Sequence, residues 1–526
     1  MNIVVELMMV FLMCACAVLP AKRALHMFQQ NRYELGRYSE WIWENGKRLA
    51  VKNAVWIVLM ILTFGIGTRF PSVLGPCFAN ATLVLFLCGM RVSEKKQNYI
   101  KPLVYTCRVK RQIAVLVILY LLWTVVLLLC EHLISLSFFG AFIMPWLLIY
   151  LVGAITSPIE AAVRKYYLYD AKRILEKDPD LIKIGITGSF GKTTTKNIMQ
   201  AMVSEQFNSL MTPASYNTPM GITRTIREML KPIHQVFVCE MGADHVGDIT
   251  ELMNFVHPTI GVVTSIGPQH LNTFCSQENI TREKMQMIEM LPANGFGVLN
   301  YDNEFIRSWK IQNPVETVTY GVKNQQAEYH AEEITYTQNG SSFLVVHFDE
   351  KIPLETKLLG ELNILNILSA VAVARHLGIA WPVIQRAVKQ MKQVEHRLEL
   401  KKINGYRFID DAFNANPTGS AMALEVLSMM PYQRFIVTPG MIDLGEKQNE
   451  INKHFGTLMK GNADVVVLVG KNQTKPIYEG LQESGFDLEK VVVLDTEKEA
   501  FQYIWRTAKL EDTILLENDL PDAFNH

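Results

Sequence analysis

Long apolar runs crowd the first 160 residues, and a different pattern replaces them afterwards. Met1–Leu19 is apolar apart from Asn2 and Glu6. Ala54–Thr68 lies between Lys52 and Arg69, and Phe70–Met90 is broken by Pro71, Pro76 and Asn80. Ile113–Cys130 and Leu133–Ile159 carry no charge, with Pro145 inside the second of them. A membrane helix needs about 20 apolar residues, which the first, fourth and fifth runs supply. The second is short and the third interrupted, so these two read as separate crossings or as one re-entrant hairpin. Lys22, Arg23, Arg32, Arg37, Lys47, Arg48 and Lys52 fill one gap between runs. Arg91, Lys95, Lys96, Lys101, Arg108, Lys110 and Arg111 fill another, and the remaining gaps hold Arg69 alone. The positive-inside rule then puts the N-terminus outside and everything after Ile159 in the cytoplasm. Residues 1–160 are expected to form a transmembrane helical domain of about five spans. The protein is expected in the cell membrane as a multi-pass protein with cytoplasmic catalytic domains, and membrane lipid is an expected partner.

From about Asp180, short apolar runs alternate with helical stretches. Leu181–Thr187, Gln235–Glu240, Thr259–Ser265 and Gly297–Asn300 read as buried strands, and Thr193–Phe207 and Thr281–Met290 as helices. Such alternation predicts an α/β fold with a mostly parallel sheet. Glu333–Pro353 breaks the pattern and reads as a β-hairpin turning at Asn339-Gly340. Helices at Asn363–Leu377 and Trp381–Met391 close this unit. Further strands are expected at Tyr406–Asp410, Arg434–Thr438, Val465–Val469, Val491–Leu494 and Thr513–Leu516. The expected division is a phosphate-loop, parallel-sheet ATP-binding domain over 175–392 and a C-terminal Rossmann-like α/β domain over 393–526.

Charge and cysteine usage narrow the function classes. Lysine plus arginine equals aspartate plus glutamate at 51 each, which argues against nucleic acid as a partner. Eight cysteines in 526 residues exclude a disulfide scaffold, and no CxxC pair suggests zinc.

The chemistry begins at Gly185-Ile-Thr-Gly188-Ser189-Phe-Gly191-Lys192-Thr193-Thr194, which follows a predicted strand and opens a predicted helix. Glycines let backbone N–H groups approach phosphate oxygens, and the helix N-terminus favours the anion. Lys192 is the candidate for the terminal phosphates and Thr193 for Mg²⁺. The strict GxxxxGK[ST] spacing fails by one residue, since Ile186 stands where the first glycine is expected.

At this loop the chain resembles the Mur ligase family, whose loop has the form GxxGxxGKT. Further matches follow in order: Ser215-Tyr-Asn217-Thr218-Pro-Met-Gly221, Glu240-Met-Gly-Ala-Asp-His-Val-Gly-Asp-Ile, Ile266-Gly-Pro-Gln-His270-Leu and Asn300-Tyr-Asp302. Asn363 with Asn366, Arg397, and Asp410-Asp411-Ala-Phe-Asn414-Ala-Asn416-Pro417 complete the series. The last is closest to the UDP-N-acetylmuramoyl-tripeptide–D-alanyl-D-alanine ligase branch.

The resemblance implies an ATP-dependent, ADP-producing acid–amino-acid ligase acting on a cell-envelope precursor through an acyl phosphate, with ATP and Mg²⁺. It implies phosphate contacts from Gly188, Ser189, Gly191, Lys192, Thr193 and Thr194, and Mg²⁺ ligands Thr193, Glu240 and His270. Lys284 matches the family's often carbamylated lysine, so Lys192, His270 and Lys284 are the implied catalytic set. Asn300, Asp302 and Asn366 would lie by the adenine, with Arg397 and Asp411 on ribose and phosphates. Asn217, Thr218, Asn414 and Asn416 would bind substrate. The implied partners are a precursor carboxylate and an amino acid or dipeptide.

The family's uridine-binding N-terminal domain is replaced here by the apolar runs. Pro439–Glu446 follows GDMxELG only in part, and Leu516-Glu517-Asn518-Asp519 replaces a Lys-Gly-Ser turn. A poly-amino-acid synthase of polyglutamate type and a nucleotide-binding membrane scaffold without ligase activity are the alternatives.

Overall fold

The computed structural model describes residues 21–46, 58, 102–129, 145–412, 415–442 and 444–518. The chain divides into two compact units, Met1–Lys165 and Tyr166–His526.

In the first unit, helices over 21–30 and 35–46 accompany Cys107–Leu129 and the leading part of Pro145–Glu176. Ala24, Leu25, Phe28, Tyr38, Val109, Leu116, Ile149 and Val152 form its core. Arg111 clasps Glu160 with two hydrogen bonds of 2.8 and 2.7 Å.

The expectation of a multi-pass protein in the cell membrane is corrected here. Most of the first three apolar runs lies outside the described residues. Among the described residues one helix, Pro145–Glu176, is long and apolar enough to cross a membrane. A single helix of that kind is weak evidence, because core helices share its composition. Part of the apolar content read as spans is instead used in packing helix on helix: Leu116, Ile149 and Val152 are each at most 1% exposed.

The second unit is built on two sheets. The first has strands β1 (Ile182–Thr187), β2 (Ser209–Met211), β3 (Val236–Glu240), β4 (Ile260–Val263), β5 (Phe296–Asn300), β6 (Glu316–Gly321), β7 (Tyr329–Thr337), β8 (Gly340–His347) and β9 (Glu350–Thr356). Their order is β2-β3-β1-β4-β5-β6-β7-β8-β9. The strands are parallel through β7 and antiparallel from β7 to β9. The expected hairpin exists, and it extends the main sheet through β6 rather than standing apart. β1, β3, β4 and β5 are near-continuous apolar runs because helices cover both of their faces. Each buried aliphatic side chain there contributes roughly 1.5–3 kcal/mol.

Helix α1 (Lys192–Val203) follows β1, and α2 (Gln277–Glu289) packs on β1 and β4. Two glycines seat α2 close to the sheet. A Cβ at Gly185 would come within 2.9 Å of Met287 Sδ, and one at Gly261 within 3.0 Å of the Met287 carbonyl. Helix α3 (Glu361–His376) packs against α1.

The second sheet comprises β10 (Glu399–Ile403), β11 (Tyr406–Asp411), β12 (Arg434–Thr438), β13 (Val465–Val469), β14 (Val491–Leu494) and β15 (Thr513–Glu517), ordered β10-β11-β15-β12-β13-β14. All but β10 run parallel. Helix α4 (Pro417–Ser428) follows β11.

Candidate active site

β1, β3, β4 and β5 end level at one edge of the first sheet, where ligand sites of parallel sheets form. Ile186 is in register with Glu240, and Thr187 with Val263. The loop from β1 to α1 needs glycine twice. Gly191 has φ 80°, and a Cβ at Gly188 would collide with Thr264 Oγ1. The end of β4 braces this loop. Ser189 N–H donates to the Ser265 carbonyl at 2.7 Å, and Phe190 N–H to Ser265 Oγ at 2.8 Å. Ser189 Oγ meets both the N–H and the carbonyl of Gly267 at 3.0 Å.

Lys192 folds its Nζ back onto the carbonyls of Gly188 (2.6 Å) and Ser189 (3.2 Å). Lys284 reaches the same Gly188 carbonyl at 3.2 Å from α2. Two amines thus meet at one point of the phosphate loop. Burial, and then the Lys192 charge, bring Lys284 down to about 7. Burial also lowers Lys192. An anion placed between them would relieve both.

Glu240 ends β3 and is 1% exposed. Its Oε2 accepts from Thr193 Oγ1 at 3.1 Å and Lys196 Nζ at 3.0 Å; its Oε1 accepts from Asn217 Nδ2 at 3.1 Å. Burial pushes this carboxyl up, but Lys196 and Lys192 outweigh burial and hold it below its usual range. Lys196 is fully buried and also donates to the Ala214 carbonyl. Sequence reading passed over Lys196, although its neighbours on α1, Thr195, Met199 and Val203, are core positions. A lysine on the buried face of a helix is the signal that marks it.

His270 adopts a left-handed backbone (φ 52°) and sets Nε2 3.3 Å from Asp244 Oδ1. Asn300 Nδ2 donates to the Thr264 carbonyl at 2.7 Å. Asp302 accepts from the N–H groups of Val322, Lys323 and Asn324 at 2.7–3.1 Å, ordering that loop. Asn366 Oδ1 accepts from Thr195 Oγ1 at 3.1 Å, while its Nδ2 is buried without a protein partner. Thr194 is buried on α1.

From the second sheet, Arg397 stands between two left-handed residues, His396 (φ 56°) and Leu398 (φ 48°). Burial lowers its guanidinium, and Asp411, Glu240 and Glu517 oppose that. Its charge also bears on Lys192. Asp411 accepts from Leu398 N–H at 3.1 Å, and burial raises it to about 6.

The expected substrate residues are more dispersed. Asn217 is at Glu240. Thr218 Oγ1 caps helix Pro219–Met229 by accepting from Gly221 N–H at 3.3 Å. Asn416 Oδ1 caps α4 by accepting from Gly419 N–H at 2.9 Å. Asn414 lies outside the described residues.

The residues fit a magnesium nucleotide. Glu240 and Thr193 offer hard oxygens beside a glycine loop and two lysines. Among the described residues no group of three or more His, Cys, Asp and Glu gathers to hold a metal alone.

These features are those of a two-sheet α/β fold with a phosphate-type loop at the carboxyl edge of its first sheet. The Mur ligase middle-domain model matches residues 186–374, and the Mur ligase glutamate-ligase-domain model matches 396–517. The chain belongs to the Mur ligase family, and it is an ATP-dependent, ADP-forming carbon–nitrogen ligase that uses Mg²⁺. The UDP-N-acetylmuramoyl-tripeptide–D-alanyl-D-alanine ligase of Bacillus subtilis is 28% identical over 336 residues, 63% of this chain and 72% of that one. The Escherichia coli ligase of the same name is 28% identical over 291 residues, 55% of this chain and 64% of that one. A crystal structure of MurF from Acinetobacter baumannii has the same fold, with TM-score 0.62, 24% identity, and 69% and 78% of the two chains covered. MurF from Thermotoga maritima in complex with ADP aligns with TM-score 0.61, 23% identity, and 68% and 80% coverage.

Proposed function

We propose that this ligase joins a carboxylate of a cell-envelope, peptidoglycan-type precursor to the amino group of an amino acid or dipeptide through an acyl phosphate. The meeting of Lys192 and Lys284 at the Gly188 carbonyl, on the loop whose helix carries Thr193 onto the Glu240 carboxylate, supports the reading. The names of the curated relatives supply the substrate class, a muramoyl tripeptide and D-alanyl-D-alanine.

In this reading residues 175–392 bind ATP and residues 393–526 close over it. The acceptor carboxylate attacks the γ-phosphorus, and the bond to the β-phosphate oxygen breaks to release ADP. The amine nitrogen then attacks the acyl carbon, inorganic phosphate leaves, and the amine proton passes to solvent. Thr193 and Glu240 would hold Mg²⁺, with His270 for a second ion, and the metal would supply neutralisation of phosphate charge. Lys192 compensates the γ-phosphate, with Gly188, Ser189, Gly191 and Thr194 around the phosphates. Arg397 and Asp411 contact the nucleotide from the second sheet, which excludes the water that would hydrolyse an acyl phosphate. Asn300, Asp302 and Asn366 border the adenine. Asn217, Thr218, Asn414 and Asn416 border substrate.

Lys284, near pKa 7, holds a large neutral fraction at neutral pH. The neutral amine is the form that adds CO₂, and the resulting carbamate would replace a like charge with an opposite one beside Lys192. The test is isotopic. With ¹⁸O in the acceptor carboxylate, one label should appear in the released phosphate. Label-free phosphate during product formation refutes the acyl phosphate.

A further inference from the structure

Asp410 precedes Asp411 on β11 and has no role in the account above. It is buried, and its Oδ2 lies 2.8 Å from His396 Nδ1 and 2.7 Å from Lys401 Nζ. Its Oδ1 accepts from Ala412 N–H at 3.2 Å. Burial pushes this carboxyl up, but Lys401, the Ala412 N–H and His396 outweigh burial and hold it below its usual range. Asp410 is therefore an acceptor, and His396 Nδ1 must be the donor, as it is in the imidazolium and in one neutral tautomer. The next residue does similar work: Asp411 accepts from Leu398 N–H at 3.1 Å. Two consecutive aspartates thus hold the residues on either side of Arg397. The turn needs holding. His396 (φ 56°) and Leu398 (φ 48°) are both left-handed, a conformation that a Cβ makes costly and that persists only where the surroundings fix it. Further bonds close the turn. Arg397 N–H donates to the Val394 carbonyl at 3.1 Å, His396 N–H to Glu399 Oε2 at 3.0 Å, and Leu400 N–H to Gln393 Oε1 at 2.9 Å.

We infer that His396 is a positioning residue for Arg397. Anchored on Asp410, its imidazole fixes one side of the turn that presents the guanidinium, and Asp411 fixes the other. The inference rests on the reading that Arg397 contacts the nucleotide from the second sheet. A long arginine side chain loses rotamer freedom when it meets a ligand, and a turn fixed beforehand leaves less freedom to lose. Lys401 balances the Asp410 charge from β10, beyond the turn, whereas His396 ties that charge to the residue next to Arg397. Lys401 and the Ala412 N–H stay on Asp410 when the imidazole is removed, so the loss is local to the turn.

The test is ADP binding to the full chain with Mg²⁺, by calorimetry, with circular dichroism as the control for folding. His396→Ala should weaken ADP by about tenfold, the loss of one charge-assisted hydrogen bond. His396→Asn should stay within about twofold of wild type, because asparagine tolerates the left-handed backbone and its Nδ2 donates from the place of the imidazole Nδ1. His396→Gly, which relieves the backbone but has no donor, should weaken ADP as alanine does. In an Arg397→Ala background, His396→Ala should cost less than about twofold more, since it acts through a side chain already removed. Wild-type affinity in His396→Ala overturns the inference, and wild-type affinity in His396→Gly overturns it in favour of backbone relief. A loss in His396→Asn equal to that in alanine also overturns it. Full additivity in the double variant does so too, and leaves a merely structural role. The reading on which the inference rests fails in a different variant: ADP affinity unchanged in Arg397→Ala alone removes Arg397 from the nucleotide, and the inference with it.

Discussion

Lys196 Nζ lies 3.0 Å from Glu240 Oε2, and both side chains are at most 1% exposed. This pair welds the phosphate-loop helix to the end of β3. Because Thr193 and Asn217 also donate to the same carboxylate, Glu240 is fixed in position and in charge. Lys196→Met should destabilise the protein by about 3–5 kcal/mol, since it removes the ion-pair partner of a buried carboxylate. Denaturant unfolding measures this. Adding Glu240→Gln should recover part of the loss; a purely additive double variant would deny the coupling.

Lys192→Ala should abolish turnover while leaving the fold intact. The side chain's hydrogen bonds are to the loop carbonyls of Gly188 and Ser189, and its ammonium compensates γ-phosphate charge in the proposed reaction. Single-turnover ADP release, with circular dichroism as control, decides this. Full activity in the variant would refute the phosphate-loop assignment.

Glu240→Ala and His270→Ala should each lose activity in a way that excess Mg²⁺ restores only in part. The first removes the carboxylate that Thr193 touches, and the second the imidazole beside Asp244. Titrating Mg²⁺ against initial rate is the measurement. Insensitivity at both positions would remove the two-metal reading.

The sequence pointed to residues that the fold then places near one another. The strand–glycine loop–helix context singled out Lys192 and Thr193, and the family motifs singled out Glu240 and Lys284, which lie around the same loop in the fold. Three strands escaped: β2 is only three residues long, and the patterns of β6 (ETVTYG) and β10 (ELKKI) are polar. Lys196 and Glu517 escaped for another reason. Burial of a charge is decided by elements far apart in sequence, as when Ser420 meets Glu517. The expectation of several membrane spans failed because apolar periodicity does not distinguish lipid-facing positions from helix-packing ones such as Leu116 and Ile149. Thr218 and Asn416 illustrate a further limit, since a side chain that caps a helix and one that meets substrate look alike in sequence.

The lowered pKa of Lys284 has a sign that stability can read. Between about 7 and the ordinary value of 10.5, the unfolded chain holds this proton more often than the native state. Stability should therefore rise with pH across that window. Lys284→Met should flatten the rise, measured as urea midpoints at neutral and alkaline pH. An unchanged slope would mean that Lys284 titrates as an ordinary lysine.

The central claim is that two substrates must meet at one phosphate loop. Its most direct test is ADP release by the full chain with ATP and Mg²⁺, given a panel of muramoyl-peptide acids and amino compounds singly and in pairs. The account predicts ADP in equal amount to a new amide product, only when an acid and an amine are present together. ADP release that ignores both, or none with any pair, would contradict it.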